Sequence, residues 1–173
     1  MKSIKPTIFL FTDGSVNPQS GVGFGAYLFL NKKQVSLPML VKDIQTKKFV
    51  DTSSTKLELE TLLWALSEIK QVESKIVVYT DCQNIIGLKS RRERFEKNDY
   101  ITSKNQKIKN HELYKEFFTI TDSLDCEFIK VKGHKKSSTK DEIDKIFSLV
   151  DKTARGALSL HISLLLRVKP FKL

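Results

Sequence analysis

Two apolar stretches in this chain end the same way: IFLFT runs into Asp13 and IVVYT runs into Asp81. Thr7 to Phe11 and Lys75 to Thr80 are short, apolar and rich in β-branched and aromatic residues, so each reads as a buried strand. A single Asp after a strand serves readily as a turn former or helix N-cap. A repeated strand-Thr-Asp pattern asks for more. In open sheets with helical crossovers, ligands gather at strand ends, and adjacent parallel strands set both carboxylates side by side.

The rest of the chain is consistent with such a sheet. The run GVGFG (21–25) is followed by AYLFL, which reads as a strand and not a helix, so the glycines mark a hairpin and not a phosphate-cradling loop. Strands are expected at 25–31 (GAYLFLN) and 34–41 (QVSLPMLV), the latter at an edge because of Pro38. Residues 55–71 carry Leu59, Leu62, Leu63, Leu66 and Ile69 at helical spacing. Further helices are expected from Gln83, over 111–123 and over about 141–160, with a strand at 126–131 (CEFIKV). The fold class is α/β: three strands in a meander, then strands joined by helical crossovers, giving a mixed sheet covered by helices.

Two more acids sit on inward helix faces. Glu58 shares a stripe with Leu62, Ala65 and Ile69, whereas Glu60 shares one with Trp64, Ser67 and Glu68. Thr55-x-x-Glu58 also has the spacing of a capping box. Asp151 lies among Phe147, Ala154 and Leu158, four residues before a possible partner, Arg155. Asp144 falls beside Lys140, Asp141 and Ser148 and is expected at an exposed helix start, which Thr139-x-x-Glu142 would cap. Asp13, Glu58, Asp81 and Asp151 cannot converge unaided, because like carboxylates repel. Hard oxygen donors without Cys or His suit Mg²⁺ or Mn²⁺. A pair of such ions about 3.5–4 Å apart is suited to phosphodiester hydrolysis.

Composition sets the partner class. The 173 residues fit one domain, and 30 Lys and Arg against 20 Asp and Glu leave +10, which favours a polyanion. No apolar run nears the ~18 residues of a membrane span. The N-terminus lacks a signal-peptide pattern, so a cytoplasmic location and no membrane partner are expected. Cys82 and Cys126 fit neither a zinc site nor a disulfide framework and are expected as semi-buried thiols.

TDGS around Asp13, LEL around Glu58, YTDCQ around Asp81, VKGH around His134 and VDKTAR around Asp151 occur in one order along the chain. In that order and approximate separation the chain resembles type 1 ribonuclease H over about residues 7–160. No single motif is specific; the five together are. The resemblance implies an RNase H-like fold with a five-stranded mixed sheet. It implies an endoribonuclease that cuts the RNA strand of RNA–DNA hybrids, leaving 5′-phosphate and 3′-hydroxyl ends. Carried over, Asp13, Glu58, Asp81 and Asp151 hold two Mg²⁺ or Mn²⁺ ions, and His134 assists proton movement or product release. Asn17 and Gln83 would face the minor groove, Ser54 and Thr55 replace a pair of asparagines common in relatives, and Asn110 resembles a phosphate contact. The loop between His134 and Asp151 is longer than in many bacterial relatives.

Residues 88–111 hold eight cations against three acids, a net +5, with Phe95 and Tyr100 interleaved. At this position the family carries a basic protrusion that grips the duplex, here with Arg91, Arg92 and Arg94 as the expected phosphate contacts. The expected organisation is one catalytic domain over 1–162 and a basic tail over 163–173. The chain is expected to act free-standing and as a monomer, without an obligatory protein partner. Two other readings remain: a DNA endonuclease of the same fold, resolvase- or transposase-like, and a non-catalytic nucleic-acid-binding module. Cleavage of a hybrid against a DNA duplex separates the first, and dependence on a dication the second.

Overall fold

The computed structural model describes residues 5–31, 40–70, 73–132 and 140–167. In chain order the elements are β1 (Thr7–Asn17), β2 (Val22–Leu30), a 3-10 turn (Val41–Asp43), β3 (Gln45–Phe49), α1 (Ser54–Ser67) and β4 (Lys75–Thr80). They continue with α2 (Gln83–Ile86), α3 (Leu88–Lys97), α4 (His111–Ser123), β5 (Asp125–Lys130) and α5 (Glu142–Arg167). The strands form one mixed sheet in the order β3-β2-β1-β4-β5. β1, β2 and β3 pair antiparallel, while β1–β4 and β4–β5 pair parallel.

The central strands are buried on both faces, as their apolar runs require. Leu10, Tyr27, Ile76 and Val78 pack on one side against α1, α3 and α4 through Leu59, Leu62, Leu66, Phe95 and Phe117. Phe11, Ala26, Leu28, Val77 and Tyr79 pack on the other side against α5 through Ile146, Phe147, Val150 and Ala154. Among the described residues no helix is long and apolar enough to cross a membrane.

β1 continues six residues beyond Phe11, because β2 stays in register with it as far as Asn17 opposite Val22. Asp13 therefore lies within a strand and not after one. Its parallel neighbour does stop here: the last β1–β4 pair is Phe11 with Tyr79, and β4 ends at Thr80. Asp13 and Asp81 consequently emerge side by side where the parallel pairing ends.

The expected third strand is displaced. Its first six residues, 34–39, fall outside the described residues, Leu40 and Val41 enter the 3-10 turn, and the edge strand is QTKKF (45–49). Leu40 and Ile44 are buried against the α5 side of the sheet from this turn. Their apolar character marks burial, not extension. β3 is almost wholly exposed, and Lys47 and Lys48 give it the charged character that protects an edge from further pairing.

Only one glycine of the GVGFG run has a turn conformation, Gly21 with φ +65°, whose N–H donates to the Asn17 carbonyl at 3.0 Å. Gly23 and Gly25 lie inside β2, where their missing side chains admit α1. A Cβ on Gly25 would sit 2.0 Å from Thr61 Oγ1, and one on Gly23 2.7 Å from Leu57 Cδ2. Gly14 on β1 does the same, with Leu57 Cγ at 2.8 Å. These glycines are a bed for a helix.

α5 starts on a reciprocal cap. Asp144 N–H donates to Asp141 Oδ1 at 2.8 Å, and Asp141 N–H donates to Asp144 Oδ2 at 3.2 Å. The cap expected from Thr139 falls outside the described residues. The helix runs on to Arg167, through residues expected in the basic tail, and exposes Leu160, Leu164, Leu165 and Leu166 at its far end. Both cysteines are free thiols.

Candidate active site

β1, β4 and α1 bring three carboxylates into one place. Asp13, Glu58 and Asp81 each offer an oxygen, and these oxygens lie within 4.8 Å of one another. Asp13 and Glu58 are buried, 7% and 8% exposed, and Asp81 is more open. The path of Glu58 follows from the glycine bed: its Oε1 is 3.5 Å from where a Gly14 Cβ would be. A side chain at Gly14 would displace the Leu57 side chain and crowd Glu58 beside it. Ser53, not Thr55, is the N-cap residue of α1, so the Thr55-x-x-Glu58 capping box does not form and Glu58 is not engaged as a cap. Glu60, on the wetter face, instead accepts a hydrogen bond from Thr52 Oγ1 at 2.7 Å.

The electrostatics show what this proximity costs. Burial, reinforced by the negative charge of Asp81, pushes the Asp13 carboxyl up to about 7, although the Gly14 N–H opposes the shift. Burial, followed by the charge of Asp13 and then of Asp81, holds Glu58 well above the usual carboxylate range. Among the described residues Glu58 Oε2 is buried with no hydrogen-bond partner. A buried acceptor without a donor is destabilising, and a cation beside it relieves both the repulsion and the unmet lone pairs. Three carboxylates with an unsatisfied oxygen form a hard-donor set that fits a divalent metal ion.

The three acids open onto a cavity of about 550 Å³. Asp151, reached from α5 on the opposite face of the sheet, also lines it, with its carboxylate held by Arg155. Ser54 and Thr55 stand on the same wall. Asp144 lines it too and is 4% exposed, which corrects its placement at an exposed helix start. Its seven-residue spacing from Asp151, two helical turns, was the signal available. Lys132, Lys140, Lys152 and Arg155 supply positive charge along the same cavity; Lys132, Lys152 and Arg155 fall within VKGH and VDKTAR, whereas no motif marks Lys140. His134 falls in 133–139, outside the described residues.

Asn17, Gln83 and Asn110 do not line this cavity. Asn17 Oδ1 accepts from Gln19 N–H at 3.0 Å and shapes the β1–β2 turn. Gln83 is exposed at the start of α2, and its Oε1 accepts from Lys130 Nζ. Asn110 precedes α4 in a left-handed conformation, φ 62°, which Asn tolerates better than most residues. His111 Nδ1 contacts the Ile108 carbonyl oxygen at 3.0 Å and His161 packs against Phe24, so both histidines have structural surroundings.

Two of the three arginines expected to grip phosphate are engaged within the protein. Arg91 Nη2 donates to the carbonyl and Oδ1 of Asn84, each at 2.6 Å, and its Nε to the Gly87 carbonyl at 2.9 Å. Arg92 makes a bidentate pair with Asp122 at 2.6 and 2.9 Å and a further bond to Glu96 at 2.7 Å, tying α3 to α4. Arg94 stays exposed over the Phe95 ring. Among the described residues Arg94, Lys97, Lys104 and Lys109 are the exposed cations of this segment with neither an ion pair nor a side-chain hydrogen bond, whereas Lys89 and Lys107 donate to the Cys126 and Asp99 carbonyls.

Residues 5–155 match the family model described as RNase H. A ribonuclease H of Treponema denticola is 27% identical over 153 residues, covering 80% of this chain and 93% of that protein. One from Acetivibrio thermocellus is 28% identical over 143 residues, covering 80% and 90%. Among solved structures, LC9-RNase H1, described as a type 1 RNase H with the type 2 active-site motif, aligns with a TM-score of 0.65 at 18% identity. That alignment covers 91% of this chain and 74% of the other. The foamy viral protease-reverse transcriptase in complex with dsDNA aligns with a TM-score of 0.62 at 10% identity, covering 86% and 90%. At these identities the two structures bear on the fold alone.

Proposed function

Because the chain belongs to the RNase H family, we propose that it is an endoribonuclease that hydrolyses the RNA strand of RNA–DNA hybrids. The observation that carries this reading is the group of three carboxylates, two of them buried, gathered where the parallel pairing of β1 and β4 ends. Asp13, Glu58 and Asp81, joined by Asp151, would hold two Mg²⁺ or Mn²⁺ ions, which when bound supply positive charge to stabilise the phosphorane-like transition state.

The chain's own residues do the rest. Asp13 and Glu58 must both be ionised to act as ligands, and their buried setting makes that state depend on a bound cation. Ser54 and Thr55, on the cavity wall, are small enough to let a minor groove approach and can hydrogen-bond 2′-hydroxyls. Asn17 has its amide nitrogen left for substrate, since its oxygen is used in the turn. Gln83 and Asn110 would serve as further polar contacts to the duplex. Attack of a water oxygen on phosphorus, with loss of a water proton and breakage of the P–O3′ bond, gives 5′-phosphate and 3′-hydroxyl ends, and the departing 3′-oxygen needs a proton. His134, between β5 and α5 in the sequence, is the proposed carrier.

Affinity for the duplex comes from cations that the fold leaves unpaired. Arg94, Lys97, Lys104 and Lys109 provide an exposed basic face that contacts phosphates without reading sequence. On this reading the chain acts as a monomer in the cytoplasm.

The test is cleavage of end-labelled hybrid, double-stranded RNA and double-stranded DNA by the purified chain, with and without a chelator. The expected result is cutting of the hybrid's RNA strand alone, abolished by chelation and restored by Mg²⁺ or Mn²⁺. Cutting of DNA would favour a DNA endonuclease of the same fold. Binding to hybrid without cutting under any dication would reduce the chain to a binding module.

A further inference from the structure

Asp151 stands apart from the other three acids. It lines the same cavity, yet it is not in the group whose oxygens lie within 4.8 Å of one another. Its carboxylate accepts a hydrogen bond from Arg155 Nη2, one turn further along α5. The Arg155 side chain is 57% exposed, lines the cavity, and has no other hydrogen bond or ion pair among the described residues.

We propose that Arg155 is a positioning residue whose guanidinium holds the Asp151 carboxylate back from the three-acid group and competes for it with a divalent cation. The proposal rests on the metal-dependent reading of the site given above. A guanidinium does not give up its charge at any physiological pH, so it yields Asp151 only to another cation. An exposed i,i+4 pair is weak, which lets a dication displace it; a buried pair would lock the carboxylate away. Asp151 then joins the site in proportion to how far Arg155 has let go, and metal affinity carries the imprint of that competition.

The experiment is Mn²⁺ titration by calorimetry, without substrate, on the unmodified chain and on Arg155→Ala, Arg155→Lys, Lys152→Ala, Asp151→Asn and the Asp151→Asn/Arg155→Ala double variant. Arg155→Ala is expected to bind Mn²⁺ about two- to fivefold tighter, the range set by the strength of exposed ion pairs. Arg155→Lys should stay near the unmodified chain, since a lysine at the same spacing can still pair with Asp151. Lys152→Ala removes a neighbouring cavity cation and should change affinity less than Arg155→Ala. In the Asp151→Asn background, Arg155→Ala should have no effect. Equal tightening in that background would mean that only the lost charge mattered, and would overturn the competition. Unchanged or weaker binding in Arg155→Ala would do the same; if that variant does not fold, Arg155→Gln carries the measurement. A chain that takes up no Mn²⁺ at all overturns the metal site itself, whereas Mn²⁺ uptake indifferent to Arg155 overturns this proposal alone.

Discussion

Asp13 shows how a single residue couples the site to stability. In the unfolded chain its carboxyl titrates near 3.8, and in the folded protein it holds its proton to about 7. Between these values the folded state binds more protons than the unfolded one. Stability from this group is therefore greatest at low pH, falls as the pH rises through the window, and levels off above about 7. The shift corresponds to on the order of 4 kcal/mol, and Glu58 adds the same sign. Thermal melts in chelator from pH 4 to 8 should thus decline more steeply for the unmodified chain than for Asp13→Asn. Added Mg²⁺ should raise the melting temperature more at pH 8 than at pH 5, because the ligands must shed protons to bind it. Melts with parallel pH dependence in both proteins would contradict this account of Asp13. Asp81→Asn should leave the fold intact and lower hybrid cleavage by more than about 100-fold, since altering even residues behind metal ligands has effects of 10–100-fold. Near-normal turnover in that variant would remove Asp81 from the machinery. Thr12 makes an opposite case. Its hydroxyl is buried without a hydrogen-bond partner among the described residues, whereas the matching Thr80 Oγ1 accepts the Cys82 N–H at 3.1 Å. Thr12→Val keeps the β-branched shape and discards the unsatisfied oxygen, so it is expected to stabilise by about 1 kcal/mol in a denaturant titration. The repeated strand-Thr-Asp pattern announced both acids, but nothing in it distinguished the satisfied threonine from the orphan.

At the scale of elements, the position of α1 on its glycine bed decides whether Glu58 reaches Asp13. A methyl group at Gly25 would lie 2.0 Å from Thr61 Oγ1 in the middle of that interface. Gly25→Ala is expected to destabilise by about 1–3 kcal/mol and to reduce cleavage as Glu58 is carried outward. Adding Thr61→Ala removes the nearest clashing atom and should restore part of both, as read by melts and turnover. If Gly25→Ala retained full stability and activity, the helix would not be seated as described. Apolar periodicity announced α1, α4 and β4 with bounds close to those found, because their buried faces follow the helical and strand periods. It misplaced β3, because an edge strand draws its pairing from the backbone and leaves its side chains to solvent. It also missed the burial of Asp144, whose carboxylate serves the cap of α5 through Asp141 and so needs no solvent. The internal commitment of Arg92 was equally hidden, since its partner Asp122 lies thirty residues on and becomes a neighbour only when α3 and α4 pack.

For the whole molecule the net charge of +10 indicates a polyanion, but the fold decides which cations are available to it. Replacing Arg94, Lys97, Lys104 and Lys109 with alanine should flatten the dependence of hybrid affinity on salt by roughly 0.9 for each phosphate no longer neutralised. Arg91 and Arg92 replacements should act chiefly on melting temperature. Equal salt slopes for the fourfold variant and the unmodified chain would place the grip elsewhere. Sequence order made the sheet and the grouping of Asp13, Glu58 and Asp81 legible, though not the separate position of Asp151; the sorting of cations into bound and free was not, because it depends on which side chains meet across helices. One arrangement reaches further. Glu58 comes from the helix layer on one side of the sheet and Asp151 from the layer on the other. If both ligate, no sub-assembly lacking either layer can hold the ions firmly. Bound dication would then act as a clasp on the last helix to detach, and amide hydrogens along the first half of α5 should exchange measurably more slowly once it is in place.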